Sequence, residues 1–210
     1  MNAAGTLHAG APLREAAVAA VVVHGRDQDP EYMVEHLVSG LGQSEVAYLL
    51  PRHAERTWYP GRFHDPAGTL EPWLGQALAA LRVQIAAARA AGLTERRIVL
   101  VGFSQGACLV AELLARDTRR YGAAAILTGS LTGRPQERRR PGPLIAGMPM
   151  FFSGSRQDEW VGPEHVAATA EIFRSAGAAV TYVPSDDPQH HITESDRAAV
   201  ARLLAGVRGG

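Results

Sequence analysis

The stretch RIVLVGFSQGACLVAELLA, Arg97 to Ala115, changes its periodicity at one residue. Before Ser104 the chain is a short, continuously apolar run rich in β-branched residues, as a strand buried on both faces requires. After Ser104 the apolar residues recur at helical spacing. A strand that ends at a serine and passes at once into a helix, framed as Gly-x-Ser-x-Gly by Gly102 and Gly106, is the context of a nucleophile elbow. The glycines then have a steric reason, because so sharp a turn brings the backbones on either side of the serine together. The Gln105 N–H falls at the helix N-terminus, where a developing oxyanion would be stabilised. The alternative is a serine that only caps the helix.

Working outward, the same alternation of short apolar runs and longer helical patterns fills the chain. The expected strands are 16–23, 45–51, 96–103, 123–129, 148–154 and 178–184, and the expected helices 30–41, 70–93, 105–120, 163–177 and 193–207. Pro163 at a first turn, Thr193 as an N-cap, and Gly92 and Gly177 as stops mark their ends. That order predicts an α/β fold with a mostly parallel sheet and helices on both faces. At 210 residues the chain suits one domain, here 15–210, with residues 1–14 as an N-terminal extension. Two loops interrupt the rhythm. Residues 51–69 carry aromatics among prolines and glycines and read as a functional lid. Residues 133–144 carry four arginines and read as a solvated surface loop.

A nucleophilic serine needs a base and a carboxylate to orient it, and on such a sheet they follow in the order Ser, acid, His. Just past MPMFFSG, the segment SRQDEWVGP offers Asp158, with Glu159 the less favoured neighbour. Near the C-terminus DPQHHITESD holds His190 and His191, which can be a loop-borne base beside a bystander, a metal half-site, or solvated residues. Asp186 and Asp187 stand too near the histidines to reach them from another strand and read as solvated acids. At the end of the first core strand, VVHGRDQD places an His-Gly pair where the following N–H, that of Arg26, can point into the site. His24 itself reads as a structural histidine bonding the loop.

The formal net charge is zero, so no electrostatic pull toward nucleic acid or an anionic membrane is expected. The one cysteine, Cys108, excludes an internal disulfide and a multi-cysteine zinc site and reads as packed core. No run approaches the roughly 20 apolar residues of a membrane span. AAVAAVVV, Ala16 to Val23, reads as a buried strand rather than a signal-peptide core, since Arg14 and Glu15 precede it. A soluble, cytoplasmic protein acting on a small molecule is expected.

With these residues in place the chain resembles the phospholipase/carboxylesterase family of α/β-hydrolases, from VVHGR through the C-terminal helix. GFSQGA carries the resemblance most specifically, supported by the HGR loop, by WYPGRF (Trp58 to Phe63) and by the D-x-x-V of Asp158 to Val161. It implies a single-domain α/β-hydrolase fold and a serine hydrolase of carboxylic esters, with no metal and no organic cofactor. An acyl thioesterase or lysophospholipase is the alternative within the family. Carried over by position, Ser104 is the nucleophile, Asp158 the acid, and the Arg26 and Gln105 amides the oxyanion hole. The family's base stands two residues before an aliphatic that opens the last helix. Ile192 and Thr193 therefore select His190, leaving His191 at the pocket rim.

Three departures stand out: Asp27 where the family has glycine, Gln189 before the histidine instead of glycine, and Gly162 between Val161 and Pro163. Trp58, Tyr59, Phe63 and Trp73 either line an acyl pocket for short to medium chains or pack the lid down. The resemblance admits a homodimer. It gives no reason to expect a nucleic-acid partner or integral membrane association. Two readings from other classes compete. Asp27 in the oxyanion loop suggests a non-catalytic ligand-binding relative. The paired histidines suggest a metal-dependent hydrolase, which is disfavoured because adjacent residues rarely ligate one ion and no HExxH pattern stands nearby.

Overall fold

A computed structural model describes residues 5–209. The opening stretch forms strand β4 (Ile98–Phe103) and helix α3 (Gln105–Arg116), with Ser104 alone between them. The other strands are β1 (Thr6–Gly10), β2 (Val18–Val23), β3 (Val46–Pro51), β5 (Ala123–Leu127), β6 (Pro149–Ser155) and β7 (Ala179–Ser185). They form one sheet in the order β1-β3-β2-β4-β5-β6-β7, in which only the β1–β3 pair is antiparallel. The remaining helices are α1 (Pro30–His36), α2 (Ala67–Ala90), α4 (Pro163–Ser175) and α5 (Glu194–Gly209).

The alternation along β2 shows how the sequence builds two cores from one strand. Ala19, Val21 and Val23 pack on the face covered by α2, α3 and α4, while Val18, Ala20 and Val22 pack with Met33 of α1 and with Ala199, Val200 and Leu204 of α5. Every residue of β2 and of β4 is therefore buried, and their continuous apolar composition follows. Burying each Val or Leu contributes about 1.5–3 kcal/mol.

Six strands lie within two residues of expectation. The seventh, β1, falls in the segment 1–14 set apart above as an extension, so part of that segment belongs to the sheet. Its sequence TLHAG has little apolar content, and it is held by pairing Thr6 through Gly10 with Pro51 through Ala47. Helix α2 begins at Ala67 rather than at residue 70. The Glu137 carboxylate accepts the Ala67 N–H at 3.2 Å, a cap supplied by a segment far along the chain. Helix α1 ends at His36, well short of residue 41, and tightens into a 3-10 turn over Val38–Gly40. No helix among the described residues is long and apolar enough to cross a membrane.

The chain turns one way from β2 to β3 and the other way to β4, so the strand order switches between β2 and β4. The loop after β2 and the elbow after β4 flank that switch, where open parallel sheets hold their ligands. The loops after β6 and β7 bring Asp158 and His190 to the same carboxyl edge.

Candidate active site

Ser104 sits at φ 53°, ψ −120°, a backbone conformation that costs about 1–3 kcal/mol and persists only where its surroundings enforce it. Its N–H donates to the Leu127 carbonyl at 2.9 Å, and its own carbonyl accepts the Cys108 N–H at 3.0 Å. A side chain at Gly102 would collide with the Gly106 backbone, and one at Gly106 with the Val23 and His24 carbonyls. The second contact is more than the elbow alone demands: Gly106 lets α3 press against the loop after β2. At its start α3 directs its free N–H groups toward Ser104, with the positive end of the helix dipole behind them.

His190, on the loop between β7 and α5, places Nε2 2.8 Å from Ser104 Oγ and Nδ1 2.6 Å from Asp158 Oδ2. Asp158 is held in turn: its Oδ1 accepts the Trp160 and Val161 N–H groups at 2.8 and 2.9 Å. Burial pushes its carboxyl pKa up. The His190 hydrogen bond, the two backbone donors and the His190 charge outweigh that and hold it below the ordinary carboxylate value. The loop carrying His190 ends in a capping box. Thr193 Oγ1 accepts the Asp196 N–H at 3.1 Å, and the Asp196 carboxylate accepts the Thr193 N–H at 2.8 Å. Ile192 is buried beneath the loop.

His191 turns away, with Nε2 2.7 Å from Asp187 Oδ2, so the two rings engage different partners and do not converge. Asp186 pairs with Arg156 at 2.8 Å on the surface. Gln189, in place of a glycine, stands outside the left-handed region and needs none.

Beside the serine, the loop after β2 carries Arg26 and Asp27. Asp27 adopts φ 59°, the left-handed geometry that glycine takes most easily and that aspartate tolerates, and its N–H donates to the Arg56 carbonyl at 2.8 Å. The glycine-to-aspartate departure thus leaves the turn intact. Among the described residues neither the Arg26 nor the Gln105 amide donates to another protein group. His24 is fully buried, bonds the Gly25 carbonyl through Nδ1 at 2.8 Å and packs against Trp58 with the ring centroids 4.7 Å apart and tilted by 32°, as expected of a structural histidine. Burial lowers its pKa.

A cleft of about 610 Å³ opens over Ser104 and His190. Tyr59, Phe63, Trp160 and Val161 give it apolar walls, with Arg26, Asp27, Arg62 and Glu159 among its polar groups. Of the residues expected to contact substrate, Tyr59 and Phe63 line it, whereas Trp58, Trp73 and His191 lie outside it. Trp58 is buried in the core, where its indole N–H is satisfied by the His24 carbonyl at 2.8 Å. Trp73 lies half-exposed on α2. The 51–69 loop accordingly supplies one wall of the cleft, anchored at Trp58 to the loop after β2.

The arginine-rich loop is not simply solvated either. The Gly133 N–H donates to the Phe63 carbonyl at 2.7 Å, and Arg138 reaches His165 Nδ1 at 2.7 Å, bracing the same wall. Sequence reasoning missed Trp160, a lone aromatic in the polar run SRQDEW, which stands 72% exposed at the cleft. Cys108 lies at the cleft floor, but burial pushes its thiol up to about 11, which leaves it protonated and poorly nucleophilic near neutral pH.

The arrangement can take a proton from the serine hydroxyl, hold the resulting imidazolium against a carboxylate, and offer two backbone donors beside the attacking oxygen. A model of the family described as phospholipase/carboxylesterase matches residues 33–206. Among solved structures, a phospholipase/carboxylesterase from Dyadobacter fermentans is 30% identical with a TM-score of 0.87, each chain covered to 95%. The Bacillus cereus carboxylesterase is 18% identical with a TM-score of 0.75, covering 96% of this chain and 93% of its own. Arabidopsis thaliana SOBER1 is 17% identical with a TM-score of 0.74, covering 90% and 98%. The last two carry a likeness of fold alone. No curated protein matches the sequence.

Proposed function

The chain belongs to the phospholipase/carboxylesterase family of α/β-hydrolases and is a hydrolase, and from that premise we propose that it cleaves carboxylic esters of short to medium acyl chains through an acyl-enzyme on Ser104. The observation that carries the reading is the continuous hydrogen-bonded line from Asp158 through His190 to Ser104, at 2.6 and 2.8 Å.

In this mechanism His190 Nε2 accepts the Ser104 proton as Oγ attacks the acyl carbonyl. The Arg26 and Gln105 N–H groups hold the oxyanion, aided by the α3 N-terminus. The tetrahedral intermediate collapses when His190 returns its proton to the leaving alkoxide, releasing the alcohol and leaving the acyl group on Ser104. Water then enters, His190 takes its proton, and a second tetrahedral intermediate releases the carboxylic acid and restores the serine. Asp158 keeps the Nδ1–H pointed away from the serine and stabilises the imidazolium in both halves. The acyl chain lies along Tyr59, Phe63 and Trp160 in a cleft of mid-range volume for a small-molecule site.

A series of p-nitrophenyl esters and matched thioesters from acetyl to palmitoyl tests this reading. kcat/KM is expected to peak at or below the octanoyl oxygen ester. Ser104→Ala is expected to remain folded and to lose turnover by at least about three orders of magnitude. A peak at palmitoyl or a clear thioester preference would replace the substrate assignment, and turnover retained by Ser104→Ala would remove the nucleophile.

A further inference from the structure

The two residues assigned to the oxyanion hole through their backbone amides also use their side chains, and both reach the same short piece of chain. Gln105 is buried, its Oε1 accepting the Trp58 N–H at 2.9 Å and its Nε2 donating to the Tyr59 carbonyl at 2.8 Å. The Arg26 guanidinium donates to that same Tyr59 carbonyl at 3.3 Å and to the Gly61 carbonyl. The loop that carries Arg26 is held by this segment both before and after that residue. The His24 carbonyl accepts the Trp58 indole N–H at 2.8 Å, and the Asp27 N–H donates to the Arg56 carbonyl at 2.8 Å. Thr57 Oγ1 adds a bond to the Tyr59 carbonyl at 3.1 Å.

Residues 56–61 therefore form a strap whose two ends, Arg56 and Gly61, are tied to the loop after β2 and whose middle, Trp58 and Tyr59, is tied to Gln105 at the elbow after β4. The two amides come from loops far apart in sequence, and such donors act only if both already point at the place where the oxyanion will form. We propose that Gln105 and Arg26 are positioning residues whose side chains, through the 56–61 strap, fix the spacing and direction of their own backbone N–H groups. The proposal rests on the serine-hydrolase reading above and adds the device that assembles its oxyanion hole before substrate arrives. It also accounts for Trp58 and for the Tyr59 backbone. They spend their polar groups on the strap, while the Tyr59 and Phe63 side chains line the cleft.

Gln105→Leu keeps much of the volume and removes the bonds to Trp58 and Tyr59, together with the longer contact to Thr57 Oγ1 at 3.3 Å. Arg26→Met removes the guanidinium bonds from the more exposed side, and Arg26→Lys restores a single cationic donor. The readouts are kcat and KM on the best p-nitrophenyl ester, and Ki for a trifluoromethyl ketone, whose adduct with a serine places an oxyanion in the hole. Gln105→Leu is expected to lower kcat about 10- to 100-fold, a share of the ~10²–10³ that losing an oxyanion donor outright costs, with KM within about twofold. The ketone should weaken by the same factor as kcat/KM. Arg26→Met should follow in the same direction and Arg26→Lys recover part of the loss. If Gln105→Leu does not fold, the Arg26 pair carries the test.

Folded variants with wild-type kcat and wild-type ketone affinity would overturn the proposal, as would losses confined to KM. The controlling comparison is Ser104→Ala. Should that variant turn over substrate, the serine reading itself falls. Should it be inactive while the Gln105 and Arg26 variants behave as wild type, only the strap falls.

Discussion

Asp158 joins stability to chemistry in one side chain. Its carboxyl is almost wholly buried and held below the ordinary carboxylate pKa by His190, Val161 and Trp160 acting against burial. A carboxyl depressed by folding contributes stability that is present above its unfolded value, near 4, and is lost as pH falls through the lower folded value. Asp158→Asn should therefore be less stable than wild type in urea at pH 7, with the gap narrowing at pH 3. The same variant should lose roughly three to four orders of magnitude in kcat, because the amide no longer fixes the His190 tautomer. A stability gap that stays constant or widens at acid pH would show that the carboxylate is not held as described.

Which residues could be read directly follows from geometry at this scale. Ser104, Asp158 and His190 stand just beyond apolar strands, so strand spacing locates them. Trp58 and Phe63 sit five residues apart in one loop, and sequence gives no means of separating a buried anchor from a cleft wall. That depends on whether the indole N–H finds the His24 carbonyl. The Gln105 side chain was equally opaque, since its partners lie in a distant loop. Trp160 did leave a signal, an apolar ring among polar neighbours right after the acid.

At the scale of elements, the buried strands declared themselves and the edge did not. β2 and β4 are apolar throughout because helices cover both faces, whereas β1 owes its existence to the partner it borrows. It covers one edge of β3, whose Val46 to Pro51 are all buried. Deleting residues 1–10 should therefore expose the β3 edge and part of the core behind it. The truncated chain is expected to melt several degrees lower, at about 2–4 °C per kcal/mol lost for a domain of this size, and to aggregate with rising concentration. Unchanged melting and dispersity would mean that β1 is an ornament on a sheet that begins at β3. Helix α2 teaches the same lesson in smaller form, for its first turn is completed by Glu137 from another loop.

For the whole molecule, the alternation of strands and helices was enough to predict a mostly parallel sheet with both faces covered, and the switch in strand order between β2 and β4 then determines where a site can be. The sequence did not foretell that the irregular loop 51–69 would fold against the elbow to wall the cleft, or that the second irregular loop, 133–144, would brace it from behind. Long-range hydrogen bonds such as Gly133 to Phe63 make that wall, and they have no local signature. The central claim is that this architecture activates one serine. Its most direct test is peptide mapping by mass spectrometry after treatment with an alkyl fluorophosphonate. A single covalent adduct on Ser104, absent from both Ser104→Ala and the heat-unfolded protein, is the expected result; no adduct, or an adduct that persists in Ser104→Ala, would contradict it.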